Sequence, residues 1–184
     1  MFEIRIHGRG GQGAKSSAQF IAEAALKEGK FIQAFSEYGP ERSGAPVVAY
    51  VRISDQEIKT HEPVICPSVI LVLDETLIKA VDVAKGLKKD GILIINSSKN
   101  ADVQFRHLFQ NIKILDASSI ALEFIGKDKP NTAMLGALVK ITQVVKLENL
   151  IKVIKKHFLI KVGEQGAKAN ITAVKKGYLR NYKL

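Results

Sequence analysis

The chain has a single cysteine, Cys66, and no tryptophan. One thiol cannot close an intrachain disulfide, and it cannot hold an iron–sulfur cluster, which as a rule takes four thiolates. Among the histidines, His7, His61, His107 and His157, no two stand at i,i+3 or i,i+4 spacing, so no zinc site can be read from the sequence. Any metal or redox cluster that this protein works with is therefore expected on another chain. No apolar run approaches the roughly 18 residues that cross a bilayer. Met1–Ile6 leads straight into glycines, without the basic-then-apolar pattern of a secretory leader. These absences predict a cytoplasmic protein with no membrane partner.

Acidic residues are the minority. Lys and Arg number 28 against 18 Asp and Glu, a formal net charge of +10. A basic chain raises nucleic acid as a partner, but aromatics are only 7% and the basic residues are scattered. The densest clusters, Lys85–Lys88–Lys89, Lys152–Lys155–Lys156 and Lys175–Lys176, alternate with apolar residues at helical spacing and read as solvated helix faces. The expectation is no nucleic acid, with a surface suited to an acidic protein partner.

With 184 residues, 46% of them hydrophobic, the chain suits one domain spanning 1–184. Phe2–Ile6 alternates apolar and charged and stops at Gly8, a short strand. Ala14, Ala18, Ile21, Ala22 and Ala25 share one face of a helix that Gly29 ends. Phe31–Phe35 and Pro46–Ile53 read as strands, with Ser36–Pro46 a loop between them. Val69–Leu73, Gly91–Ile95 and Ile112–Leu115 are continuous apolar runs, as in strands buried on both faces. Thr76–Leu87 has helical periodicity. The last third carries no strand signal: Thr132–Val145 reads as a buried helix, Leu147–Phe158 as a surface helix and Glu164–Gly177 as one more. Strands alternating with helices predict an α/β layered domain with a largely parallel sheet and a helical C-terminal third.

Gly8-Arg-Gly10-Gly11-Gln12-Gly13 places G-x-G-x-x-G between a strand and a helix. Backbone N–H groups of such a turn, together with the helix N-terminus, suit a pyrophosphate, and Arg9 and Lys15 could add charge. The competing reading is that the glycines only let strand and helix pack closely. A nicotinamide site would want an acid near the end of the second strand, where Glu37 is the candidate; this small NAD(P)-binding reading is the alternative. Asn131 reads as an N-cap.

Glu37-Tyr-Gly-Pro-Glu41-Arg42-Ser-Gly-Ala-Pro46 follows the second strand, so the two loops should face each other across one crevice. Together these segments resemble the γ subunit, or γ domain, of the 2-oxoacid:ferredoxin oxidoreductases. The family's G-x-G-G-Q-G matches Gly8–Gly13, and its Gly-x-Glu-Arg pattern matches Gly39–Arg42, with Ser43 where members often have arginine. Asn131–Leu138 and Lys168–Tyr178 resemble further family segments. The resemblance implies a three-layer α/β/α domain with a mixed, largely parallel sheet. It also implies a subunit, inactive alone, of an enzyme that converts a 2-oxoacid and coenzyme A to acyl-CoA, CO2 and two electrons for ferredoxin or flavodoxin. Glu-Arg-x-Gly-Ala-Pro-Val looks most like pyruvate members; a 2-oxoglutarate or indolepyruvate homologue is the alternative. Thiamine diphosphate and iron–sulfur clusters would then sit on partner α, β and δ type subunits, with no cofactor bound by this chain alone. Gly8, Gly10, Gly11, Gln12, Gly13, Glu41 and Arg42 are the candidate binding residues, with coenzyme A as the substrate contacted. No residue is assigned a chemical step. Arg42 either grips an anion or is neutralised by Glu41, and an assembly role without ligand contact is the third reading.

Overall fold

The computed structural model describes residues 1–38, 44–98, 105, 109 and 111–182. Six strands, β1 (Phe2–Arg9), β2 (Phe31–Tyr38), β3 (Pro46–Ser54), β4 (Val69–Val72), β5 (Ile92–Asn96) and β6 (Ile112–Leu115), form one sheet in the order β2-β3-β1-β4-β5-β6. β1, β4, β5 and β6 are parallel, while β3 runs antiparallel to both β1 and β2. The mixed, largely parallel sheet expected from the sequence is the one observed.

Alternation along the strands splits the core into two clusters. Ile4, Ile6, Val69, Leu71, Leu73 and Ile94 face the main helical layer. Ile70, Val72, Leu93 and Ile95 face the other way, toward Leu77, Val83 and Phe105. That double burial explains the unbroken apolar runs of β4 and β5.

On the first face lie α1 (Ala14–Leu26), α3 (Ala117–Ile125), α4 (Asn131–Thr142) and α5 (Leu147–Leu179). α1 buries Ala14, Ala18, Ala22 and Ala25, small side chains that let it sit close to the sheet. α4 and α5 cross closely: a Cβ at Gly136 would lie 2.0 Å from the Val174 carbonyl oxygen, and one at Gly177 2.0 Å from that of Ala133. The two helices expected after Leu147 are both present: α5 is two helices that meet at Gly163, whose φ 73°, ψ −174° is not helical.

Among the described residues, the stretch between β4 and β5 covers the second face mostly with turns. The helix expected over Thr76–Leu87 is only one turn, α2 (Leu77–Ala80), because Val81 is extended at φ −143°, ψ 154°. Arg5 supplies a physical reason. Its buried guanidinium, on the sheet face opposite α1, donates to the carbonyls of Val64 (3.5 Å), Val83 (3.0 Å) and Lys85. A continuous helix would have turned the last two carbonyls into its own ladder. Gly86 (φ +72°) allows the turn, since a Cβ there would meet the Ile65 carbonyl oxygen at 2.1 Å. Lys85, Lys88 and Lys89 therefore do not form a helix face.

α3 was not expected from the sequence. Asp116 caps it, its carboxylate accepting from the Ser119 N–H at 2.9 Å, and Gly126 in the left-handed region ends it. Ala117, Ile120, Ala121 and Ile125 recur at helical spacing as its inner face, the two alanines fully buried and the two isoleucines partly buried against the core. Asn131 is not an N-cap; Pro130 takes that place, and Asn131 is buried.

Candidate functional site at the strand exits

The C-terminal ends of β1, β4, β5 and β6 open on one edge of the sheet, and β2, parallel to β1, ends there too. From β1 the chain goes outward through α1 to β2 and returns in β3; from β4 it proceeds the other way to β5 and β6. The crevice between the exits of β1 and β4 is therefore the topological switch point, where open α/β sheets bind ligands.

The glycine loop fills this position, but its first glycine is not in a turn. β3 extends the pairing so that Gly8 opposes Val47 and Arg9 opposes Pro46, and the strand runs on to Arg9 instead of stopping at Gly8. A Cβ at Gly8 would lie 3.3 Å from both the Ala14 Cβ and Leu73 Cδ1, so this glycine serves close packing. Gly11 and Gly13 have φ near +92°, which favours glycine. At Gly13 a Cβ would also fall 2.7 Å from Asn131 Nδ2.

Gln12 locks the loop. Its Oε1 accepts from the Arg9 N–H at 2.7 Å, and its Nε2 donates to Asp74 Oδ2 at 2.8 Å. Arg9 ties three exits together: Nε lies 3.2 Å from Asp74 Oδ2, Nη2 donates to Thr76 Oγ1 at 2.8 Å, and Nη1 to the Gly44 carbonyl at 3.2 Å. The Gly10 N–H donates to the Ala45 carbonyl at 3.0 Å, so the glycine loop and the end of the second loop do meet, as expected. Burial pushes the Asp74 carboxyl up, but hydrogen bonds from Thr76 and Gln12 and the charge of Arg9 outweigh it and hold the group below its ordinary value. Arg9 is thus engaged by Asp74, and Lys15 lines a groove between α1 and β2. Neither is the loose cation that the sequence offered. Glu41 and Arg42 lie outside the described residues.

Beside Gln12 opens a cavity of about 300 Å³, reaching Asp74, Glu75, Asn96, Asp116 and Ser118. Asn96 organises its wall, accepting from the N–H groups of Ala117 (2.9 Å) and Ser118 (3.1 Å) and donating to the Leu73 carbonyl (2.9 Å). Ser118 donates to Asp128 at 2.8 Å, and Ser97 donates to Glu75. Carboxylates, hydroxyls and an amide suit a neutral hydrogen-bonding group here and repel a phosphate. The cation that the sequence reading missed is Lys129, whose Nζ donates to the Gly11 carbonyl on the glycine-loop side. Its place two residues before Asn131–Leu138, a segment already marked by its resemblance, was the available signal. No side chain caps α1, and its first turn has no acidic residue.

Glu37 is not placed for a nicotinamide ribose. β3 separates β2 from β1, and Glu37 accepts from the Tyr50 hydroxyl at 2.8 Å. Burial and that hydrogen bond push the Tyr50 phenol up to about 12.

The family model for pyruvate ferredoxin/flavodoxin oxidoreductase matches residues 3–180. The chain belongs to this family. Pyruvate synthase subunit PorC of Thermotoga maritima is 48% identical to it over 179 residues, covering 96% of this chain and 93% of that one. The pyruvate/ketoisovalerate oxidoreductases common subunit gamma of Pyrococcus abyssi is 46% identical over 179 residues, covering 96% and 97%. The crystal structure of the Thermotoga maritima pyruvate oxidoreductase subunit PORC superposes with a TM-score of 0.84 at 47% identity, covering 96% of this chain and 94% of that one. Family membership places the glycine loop, the Asp74 exit and the acidic cavity in an oxidoreductase family without assigning any of them a step.

Proposed function

We propose that this chain is the γ-type subunit of a pyruvate:ferredoxin (or flavodoxin) oxidoreductase. That enzyme converts pyruvate and coenzyme A to acetyl-CoA, CO2 and a proton, with two electrons leaving to the acceptor protein. The observation that carries this reading is the 48% identity, over nearly the full length of both chains, to a pyruvate synthase subunit. In this reading the α, β and δ type chains hold the thiamine diphosphate and the iron–sulfur clusters, in keeping with a chain whose single cysteine cannot ligate one. Thiamine diphosphate supplies the carbanion stabilisation that decarboxylation needs.

This chain's contribution is binding. Coenzyme A carries its negative charge on phosphates. The uncapped start of α1, the backbone at Gly11 and Gly13, and the nearby Lys129 support an anion on the glycine-loop side, while Gly8, Gly10 and Gln12 shape the loop, the last two donating to the Ala45 and Arg9 carbonyls. Glu41 and Arg42, between β2 and β3 in the sequence, complete the proposal, with Arg42 as a bidentate donor. The acidic cavity beyond Gln12 would take only an uncharged portion of such a ligand.

The test is steady-state kinetics of the reconstituted enzyme with Arg42→Lys and Arg42→Ala. Losing a charge-assisted bidentate contact costs on the order of 1.5–3 kcal/mol, so the KM for coenzyme A or pyruvate should rise about tenfold or more. Unchanged kinetics in complexes that still assemble would leave this loop an assembly element only. The name of the Pyrococcus abyssi relative favours a second reading, a γ subunit shared by two oxidoreductases. Two distinct catalytic partner chains recovered with one γ chain would establish it.

A further inference from the structure

β2 forms one edge of the sheet, pairing only with β3 among the described residues. Edge strands are normally short or guarded by lysine, proline or a bulge. β6, at the other edge, follows that rule, with four residues and Lys113 among them. β2 does not. Its eight residues, Phe-Ile-Gln-Ala-Phe-Ser-Glu-Tyr, contain no proline, glycine or basic residue, and Glu37 is the one charge. Phe31 is 48% exposed, and Ala34 is exposed as well. A second feature lies alongside. Between α1 and this strand runs a groove of about 360 Å³ lined by Lys15, Ala18, Gln19, Ala34, Phe35 and Ser36. An open strand edge beside a helix-walled groove is the arrangement used for β-strand addition, in which main-chain hydrogen bonds give affinity and the groove reads alternate side chains.

We propose that β2 accepts an extended segment of a partner subunit as a seventh strand, with apolar side chains entering the groove and an acidic one meeting Lys15. This rests on the reading of the chain as a subunit. The charge of the chain selects the occupant. The net charge is +10, and among the described residues Lys15 is the sole charged one lining the groove. A second copy would bring another chain of +10 and another Lys15, whereas an acidic partner segment is attracted.

Hydrogen exchange on the intact complex and on the free chain tests this directly. In the complex, amides at alternate positions of residues 31–38 should exchange at least tenfold more slowly than in the free chain. Ala34→Lys places a charged side chain in the groove and leaves the β2–β3 ladder alone. The free variant should keep its circular dichroism and melting temperature, while recovery of partner chains falls about tenfold. Lys15→Glu should weaken recovery and reduce its salt dependence. Equal exchange of these amides in complex and free chain, or normal assembly of Ala34→Lys, overturns the proposal while the subunit reading stands. Protection already present in a free chain of twice the expected mass overturns it in favour of self-pairing. A wild-type chain that recovers no partner at all removes the subunit reading, and this inference with it.

Discussion

Replacing Gly13 with alanine strains the glycine loop in two separable ways. The residue has φ +92°, where an L side chain costs on the order of 1–2 kcal/mol. The added Cβ would also lie 2.7, 2.8 and 3.2 Å from the Nδ2, Cγ and Cβ atoms of Asn131, the first two closer than real Cβ contacts come. Asn131 is buried at the start of α4 and cannot swing away freely, so overpacking of about 1–3 kcal/mol adds to the backbone term. The sum is roughly 2–5 kcal/mol, a large part of a typical domain's stability. Urea unfolding of the purified chain measures it as a lower midpoint. Gly13→Ala combined with Asn131→Ala should recover the steric part and leave about 1–2 kcal/mol of strain. A fully stable Gly13→Ala, or a double variant whose costs simply add, would refute the reasoning.

Three further outcomes are expected. His7 is buried and accepts from Arg5 Nε at 3.1 Å; burial and the Arg5 charge bring its pKa down to about 4 from 6.5. Between those values the unfolded chain binds a proton that the folded one refuses, so stability falls as pH drops from 6.5 to 4, by up to roughly 3 kcal/mol. Unfolding midpoints across that range should drop less for His7→Gln. Asp116→Ala removes the cap of α3 and should cost about 1 kcal/mol in the same assay. Gly177→Ala would drive a Cβ to 2.0 Å from the Ala133 carbonyl oxygen, separating α4 from α5 and costing about 1–3 kcal/mol; a midpoint equal to wild type would contradict the close crossing.

What the sequence revealed follows the range of the forces involved. β4 and β5 were legible because burial on both faces leaves an unbroken apolar run, and α1 because its alanines recur at helical spacing. α2 was overestimated because Arg5, distant in sequence, claims the carbonyls that a longer helix would use. α3 was missed although its signals are local: Ala117, Ile120, Ala121 and Ile125 recur at helical spacing between the Asp116 cap and Gly126, in a helix of only nine residues. In the site, the glycine spacing was visible, but not that Gly8 lies within a strand, since the pairing partner Val47 is far along the chain. The bond from Gln12 to Asp74 and that from Lys129 to Gly11 are likewise long-range and leave no local pattern.

The central claim is tested most directly by anoxic purification of the tagged chain from its own cells, with assay of the eluate for coenzyme-A-dependent pyruvate oxidation using a viologen acceptor. The account predicts co-purifying iron-bearing chains, bound thiamine diphosphate and that activity. A lone chain that binds a nicotinamide nucleotide and carries no such activity would contradict it.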